Sequence, residues 1–130
     1  PESRQAMQDA IDRIVKCCAE AMRGRGEVTW EKGMPPLVND ETVIDRLQAA
    51  AEKTIGADHV VTIQNPSLGS EDFSYLFPEY GPGAQFRLGS GNNTDPNTRH
   101  GLHNSKNVFD DSCLMAGASV LVQFTRDFLK

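Results

Sequence analysis

Residues 39–56 have the sequence NDETVIDRLQAAAEKTIG, which predicts an amphipathic α-helix with a signal at each end. The apolar residues of its expected buried face recur at spacings of three and four: Ile44, Leu47, Ala51 and Ile55. This period matches one face of an α-helix. Asn39 or Asp40 can cap the first turn through a side-chain oxygen, and Gly56 suits the position after the last turn. We therefore expect a helix that ends at Ile55.

Two more long helices are predicted on either side of this one. The first extends from Pro1 to about Arg23 and carries an apolar stripe at regular helical spacing: Met7, Ile11, Ile14, Cys18 and Met22. The other extends from Ser112 to Leu129, with Asp110 or Asp111 as its cap. Its middle is apolar nearly all round, so we expect it to be buried on more than one side. A short helix is predicted from a capping hydroxyl at Ser70 to about Phe77, ended by Pro78.

Three segments between the helices alternate apolar and polar residues, as half-buried strands do. They are the pair Val28 and Trp30, the run 59–64, and the run 84–88. Strands that alternate with helices indicate an α/β or α+β arrangement. Gly33, Pro35 and Pro36 interrupt regular structure and predict a domain boundary near residue 36.

Composition excludes several classes of partner. The chain has 130 residues, of which 38% are hydrophobic and 24% charged, with a net charge of -5 and no basic run. An acidic chain of this kind lacks the positive surface that binds nucleic acid or an anionic membrane. No apolar stretch approaches the roughly 20 residues that cross a bilayer. The odd count of three cysteines favours free thiols in a reducing compartment, and we expect a cytoplasmic protein.

Few residues offer catalytic or metal-binding chemistry. His100 and His103 lie in a polar stretch, residues 89–108, where His103 can bind a metal or form hydrogen bonds within the loop. Glu71 and Asp72 either stabilise the start of a helix or orient a metal-bound histidine. Asn39 is either the cap described above or an amide that binds a substrate carboxylate.

Four motifs in order carry a resemblance that covers nearly the whole chain. They are GMPPLVND at 33–40, GSEDFS at 69–74, PGAQFRLG at 82–89, and GLHN at 101–104 followed by FDD at 109–111. With them the chain resembles the C-terminal portion of the aminoacylase and carboxypeptidase family of metal-dependent amidohydrolases. Within that family it is most similar to the branch of hippurate hydrolase and the plant auxin-conjugate hydrolases.

The resemblance implies a two-domain origin for the chain. In that family an α/β catalytic domain with a two-metal site is interrupted by an inserted α+β lid domain, which also forms the dimer contact. Residues 1–36 would then be the last helix and strand of the lid, and residues 37–130 the C-terminal section of the catalytic domain. A homodimer through the lid is implied in the same way.

The resemblance also assigns roles to the candidate site residues. His103 matches the last metal ligand, and Glu71 and Asp72 match an acidic pair beside the active site. The family's other ligands and its catalytic glutamate precede the lid, so no catalytic residue is expected in this chain. The implied cofactors are two divalent ions, and zinc, manganese, cobalt or nickel all suit imidazole and carboxylate ligands.

Two functions follow from these observations. In the first, the chain is part of an amidohydrolase or peptidase that cleaves the amide bond of N-acyl amino acids, peptides or similar conjugates, and is inactive alone. In the second, it is an independent binding or dimerisation module in which the histidines and acidic pair are structural.

Overall fold

The computed structural model describes residues 2–130, and all regular structure within them is helical. The α-helices are α1 (Glu2–Ala21), α2 (Glu41–Ile55), α3 (Leu76–Tyr80) and α4 (Cys113–Phe128), with short 3-10 helices at Ala57–His59, Asp72–Tyr75 and Pro96–Arg99. The chain forms two compact units. One comprises the chain up to Leu37 together with Gly69–Tyr80, and the other comprises Val38–Leu68 and Gly81–Lys130.

In the first unit the segment after α1 runs back along that helix. Its contacts in chain order are Gly26 against Val15, Trp30 Nε1 donating to Asp12 Oδ1 at 2.9 Å, and Arg4 Nη2 donating to the Met34 carbonyl at 2.7 Å. The approach at Gly26 requires glycine, because a Cβ there would lie 2.7 Å from Val15 Cγ1. The return therefore depends on one small residue and two hydrogen bonds rather than on an apolar core.

The second unit is built on the packing of α2 against α4. Its buried residues are apolar or small: Leu47 and Ala50 on α2, Gly117 and Val120 on α4. Leu88 packs over Gly117 so closely that a Cβ there would lie 2.8 Å from Leu88 Cδ2. At the far end of the pair, Lys53 Nζ contacts Asp127 Oδ2 at 2.7 Å.

The ends of α2 confirm the prediction made from residues 39–56. Asp40 is the cap, and its Oδ1 accepts a hydrogen bond from Val43 N at 3.0 Å. Gly56 follows the last turn with a positive φ of 87°, and its N–H donates to the Glu52 carbonyl at 3.1 Å. Glycine adopts this backbone region without the steric cost that a Cβ brings.

The three expected strands are absent as paired strands from residues 2–130. A strand needs a neighbour that exchanges backbone hydrogen bonds with it, and alternation of side chains alone does not provide one. Trp30 lies in the segment along α1, His59 ends a 3-10 helix, and Gln85 pairs with a side chain instead of a strand. The α/β description is therefore not observed here, and the described residues form a helical structure.

The predictions for α4 and α3 were partly wrong. The bounds of α4 agree to within one residue, but α4 is not buried on more than one side, since residues such as Leu114 and Met115 are 64% and 74% exposed. Pro78 does not end the short helix, because it lies in the first turn of α3, where the backbone N–H has no partner within the helix. Within residues 2–130, no helix has both the length and the apolar character of a membrane span.

Candidate functional site

His103 lies on an exposed loop between the 3-10 helix Pro96–Arg99 and α4. Its backbone is left-handed, with φ of 66°, a region in which side chains other than glycine are uncommon. The turn that follows is fixed by Asn104, whose Oδ1 accepts from Lys106 N at 2.9 Å and whose carbonyl accepts from Asn107 N at 3.0 Å. Among residues 2–130 the His103 ring has no hydrogen-bond partner, so both ring nitrogens remain available to a ligand.

Two backbone hydrogen bonds close the loop that carries His103. Val108 N donates to the Asn97 carbonyl at 3.3 Å, and Asp110 N donates to the Ser90 carbonyl at 3.0 Å. The two ends of the loop are therefore held together at its base, which is formed by these two hydrogen-bonded pairs. The loop itself contains no long regular element.

Asn92 connects the two sides of this base. Its Nδ2 donates to Asp110 Oδ2 at 2.7 Å, while its backbone N–H donates to Thr98 Oγ1 at 2.9 Å. Its Oδ1 accepts from the N–H groups of Thr94 and Asp95 at 3.0 and 2.8 Å. Thr98 is buried, so the polar network reaches the interior of the loop.

Asp110 joins this network to the start of α4. Its Oδ1 accepts from Ser112 N at 2.9 Å, and its carbonyl accepts from Cys113 N at 3.2 Å. The hydrogen bond from Asn92, followed by those from Ser112, lowers the pKa of the Asp110 carboxyl below its ordinary value. The group is therefore a carboxylate at neutral pH, which strengthens the bonds that it accepts.

The other two histidines have different surroundings. His100 is half-buried directly after the 3-10 helix, and its N–H donates to the Asn97 carbonyl at 3.4 Å. His59 is exposed at the end of the 3-10 helix after α2. Neither shares the left-handed backbone of His103.

Glu71 and Asp72 lie at the start of the 3-10 helix Asp72–Tyr75, in the other unit. Glu71 is the cap, since its Oε1 accepts from Phe73 N at 3.2 Å, and the expectation that Ser70 caps this helix was wrong. Asp72 is exposed in the first turn. This geometry favours the helix-start role, and the role beside a metal stays a prediction. Nearby Ser74 is 2% exposed, and its Oγ has no partner among the described residues.

Asn39 binds the main chain of Gln85 rather than capping α2. Its Nδ2 donates to the Gln85 carbonyl at 2.9 Å, and its Oδ1 accepts from Gln85 N at 2.8 Å. The side-chain amide thus pairs with a backbone as a neighbouring strand would. One Nδ2 hydrogen and one Oδ1 lone pair stay available, and a substrate role for Asn39 remains a prediction.

The structure places Asn39 and His103 in one unit and the acidic pair in the other. Within residues 2–130, no group of three or more His, Cys, Asp or Glu residues is arranged to hold a metal ion. His103 fits one position of a metal site, because its imidazole is exposed and has no hydrogen-bond partner in the described part of the chain. A catalytic zinc usually has about three protein ligands, so these residues provide part of a site at most.

Sequence reasoning missed Asn92 and Thr98 as organisers of the loop. Asn92 had no predicted role, and Asp110 was predicted only as a helix cap. The available signal was the density of Asn, Asp and Thr between two glycine-containing turns, since these residues bond to nearby backbone groups. Their spacing does not show which of them meet across the loop.

The chain is similar to several known proteins. It is 32% identical over 93% of its length to a probable hydrolase, sll0100, from Synechocystis sp., and 27% identical over 98% to N-acetyl-L-cysteine deacetylase from Bacillus subtilis. It is also 36% identical over 78% of its length to a putative glutamate–cysteine ligase of Rhodococcus jostii, of which it covers only 12%. It spans 30% of the length of the probable hydrolase and 28% of that of the deacetylase. No solved structure matches it significantly.

A family model also matches most of the chain. The model described as peptidase family M20/M25/M40 aligns with residues 5–127, which contain every candidate site residue discussed above. The relatives named as a hydrolase and a deacetylase agree with this match. The chain belongs to peptidase family M20/M25/M40 and is similar to part of a relative that is named a probable hydrolase.

Proposed function

We propose that the chain is the C-terminal part of a metal-dependent amidohydrolase that cleaves the amide bond of N-acyl amino acids or similar conjugates. The observation that carries this proposal is His103, an exposed imidazole on a closed loop with no hydrogen-bond partner among residues 2–130, within a chain of the M20 family. The deacetylase relative acts on N-acetyl-L-cysteine according to its name, which supports a small amide substrate. Its identity of 27% leaves the acyl group and amino acid open.

In the complete enzyme His103 would hold one metal ion through a ring nitrogen. Divalent ions, two per site, supply Lewis acidity toward the amide carbonyl and toward the attacking water. The loop closed by Ser90 and Asp110 sets where the imidazole stands, and Glu71 and Asp72 would stand beside the site as acidic partners. The remaining ligands and the base would come from the part of the hydrolase that this chain does not span.

The domain assignment remains part of the proposal. Residues 1–36 would complete a lid domain whose sheet provides the missing neighbour for Val28 and Trp30, and residues 37–130 would complete an α/β catalytic domain. Dimerisation would occur through the lid. Three cysteines that are unpaired in this chain support a reducing compartment such as the cytoplasm.

The test compares His103→Ala with His100→Ala in the full-length hydrolase. Because a first ligand is lost, His103→Ala should lower turnover of N-acetyl-L-cysteine or hippurate by orders of magnitude and reduce bound metal, measured by mass spectrometry. The melting temperature of the metal-free protein should change little, since an exposed side chain contributes within about 0.5 kcal/mol. His100 is the matched control three residues away.

Two results would decide against the proposal. Near-normal turnover and metal content in His103→Ala would remove the ligand assignment and favour the alternative of a non-catalytic module. If only His100→Ala lowers turnover and metal content, the metal ligand is His100, a residue that the family resemblance does not match to a ligand.

A further inference from the structure

We propose that Asn92 and Asp110 form a positioning pair, which sets the placement of His103 relative to α4 and thereby the affinity of the site for its metal. The inference rests on the proposed role of His103 and extends it to residues that have no ligand role themselves. It concerns the hydrogen bond from Asn92 Nδ2 to Asp110 Oδ2, at 2.7 Å.

The first step is that Asp110 is the junction between the loop and the rest of its unit. Its two carboxylate oxygens accept from different elements, Oδ2 from Asn92 in the loop and Oδ1 from Ser112 at the start of α4. Helix α4 is fixed in turn by its packing on α2. A hydrogen bond to this carboxylate therefore ties the loop to the most firmly packed part of the unit.

The second step is that Asn92 holds the opposite side of the loop. Its Oδ1 and its backbone groups engage Thr94, Asp95 and Thr98, and its carbonyl accepts from Arg99 Nε at 3.0 Å. These partners include the two residues before Pro96 and two of the four residues of the 3-10 helix Pro96–Arg99, which precedes the segment with His103. Motion of Asn92 would thus be passed to the residues that lead into His103.

The Asn92–Asp110 bond is not needed to keep the unit folded. Without the Asn92–Asp110 bond, the backbone bonds from Asp110 to Ser90 and from Val108 to Asn97 still close the loop. The packing of α2 on α4 is also untouched. Loss of the pair should free the orientation of the loop while the unit stays folded, and metal binding is the property most sensitive to such a change.

The atoms of the pair allow a test by exchange. Asn92→Asp places two carboxylates against each other. Asp110→Asn replaces one of the two carboxylate oxygens with an NH₂ group, so only one oxygen remains to accept from both Asn92 Nδ2 and Ser112 N. The double variant Asn92→Asp/Asp110→Asn restores a bond of reversed direction, because the new amide at position 110 donates to the new carboxylate at position 92. The exchanged groups keep acceptors for Thr94, Asp95 and Ser112.

The experiment uses the full-length hydrolase, stripped of metal, and measures Zn²⁺ affinity by competition with a chromogenic chelator. Each single variant should bind Zn²⁺ about tenfold or more weakly, and the double variant should recover most of this loss. With zinc restored, kcat should fall in the single variants while KM stays near that of the parent protein. The metal-free melting temperature should remain close to the parent value in all three.

Asn107→Ala is the matched control, because Asn107 is an asparagine of the same loop whose side chain has no hydrogen bond among residues 2–130. It should bind Zn²⁺ like the parent. Single variants with unchanged Zn²⁺ affinity, or a double variant no better than the worse single one, would overturn the inference. If His103→Ala loses its metal in the same experiment, the proposed function survives that failure. If His103→Ala keeps both metal and turnover, the proposed function fails and the pair has no site to position.

Discussion

At the scale of single residues, the backbone conformation of His103 costs stability at a position that we propose for metal binding. A left-handed conformation costs an L-residue about 1–2 kcal/mol, and His103 adopts it with φ of 66° and without a hydrogen bond from its ring among the described residues. Strain that persists without a visible structural return is typical of functional positions. Both features support the proposal that His103 acts through its imidazole and not through packing.

Two substitutions of His103 should differ in stability because of this backbone conformation. His103→Gly should be more stable than His103→Ala by up to about 1 kcal/mol, because glycine adopts a positive φ freely and loses only part of that gain through its greater unfolded-state freedom. Both variants should lose metal in the full-length protein. Urea unfolding of the metal-free protein gives the comparison. If alanine proves the more stable residue, the left-handed backbone is not a source of strain at this position.

At the scale of secondary structure elements, an element could be predicted when residues within it or next to it determine it, and could not when it depends on a partner elsewhere in the chain. Helix α2 was predicted with its cap and its end, because Asp40 and Gly56 act within a few residues of themselves. The strand expected at 84–88 was not observed, because a strand exists only beside a partner, and Asn39 takes that place for Gln85. The role of Asn92 was likewise hidden, since its partner Asp110 is distant along the chain and nothing local identifies it.

The pairing of α2 with α4 predicts a pH dependence of stability. The hydrogen bond from Lys53, and then that from Gln123, lowers the pKa of the Asp127 carboxyl below its ordinary 3.8. A carboxyl with a lowered pKa in the folded state stabilises the fold at every pH above the unfolded value. This contribution disappears as the pH falls through the folded value.

Asp127→Asn should therefore lower the urea midpoint modestly at pH 7 and have little effect near pH 2, and the difference should shrink in high salt. Asp45→Asn on α2 is the control, because Asp45 has no hydrogen bond or ion pair among residues 2–130. Equal effects of Asp127→Asn at both pH values would mean that the contact with Lys53 is not the cause.

At the scale of the whole molecule, the exposed apolar surface indicates that more polypeptide belongs against this chain. On α1, Met7 and Met22 are 64% and 83% exposed, and on α4, Met115 and Val122 are 74% and 61% exposed. Surface of this kind usually marks a site of contact with other protein. The sequence of α4 is apolar nearly all round and so predicted burial on several sides, but this chain alone does not cover those sides. In the proposed full-length hydrolase, we expect further polypeptide to cover α4.

The isolated 130-residue chain should lack amidase activity and bind divalent metal weakly. His103 is one candidate ligand on an exposed loop, and the affinity of a metal site depends on several ligands held in place before the metal arrives. Calorimetric titration of the purified chain with Zn²⁺ should show weak binding that His103→Ala reduces further. Turnover of N-acetyl-L-cysteine and hippurate should be absent, while the full-length protein serves as the active reference.

Tight binding of one Zn²⁺ per chain, or turnover by the chain alone, would contradict this prediction. Either result would require a second ligand set among residues that the structure does not bring together, and the division of the site between this chain and the rest of the hydrolase would then be wrong.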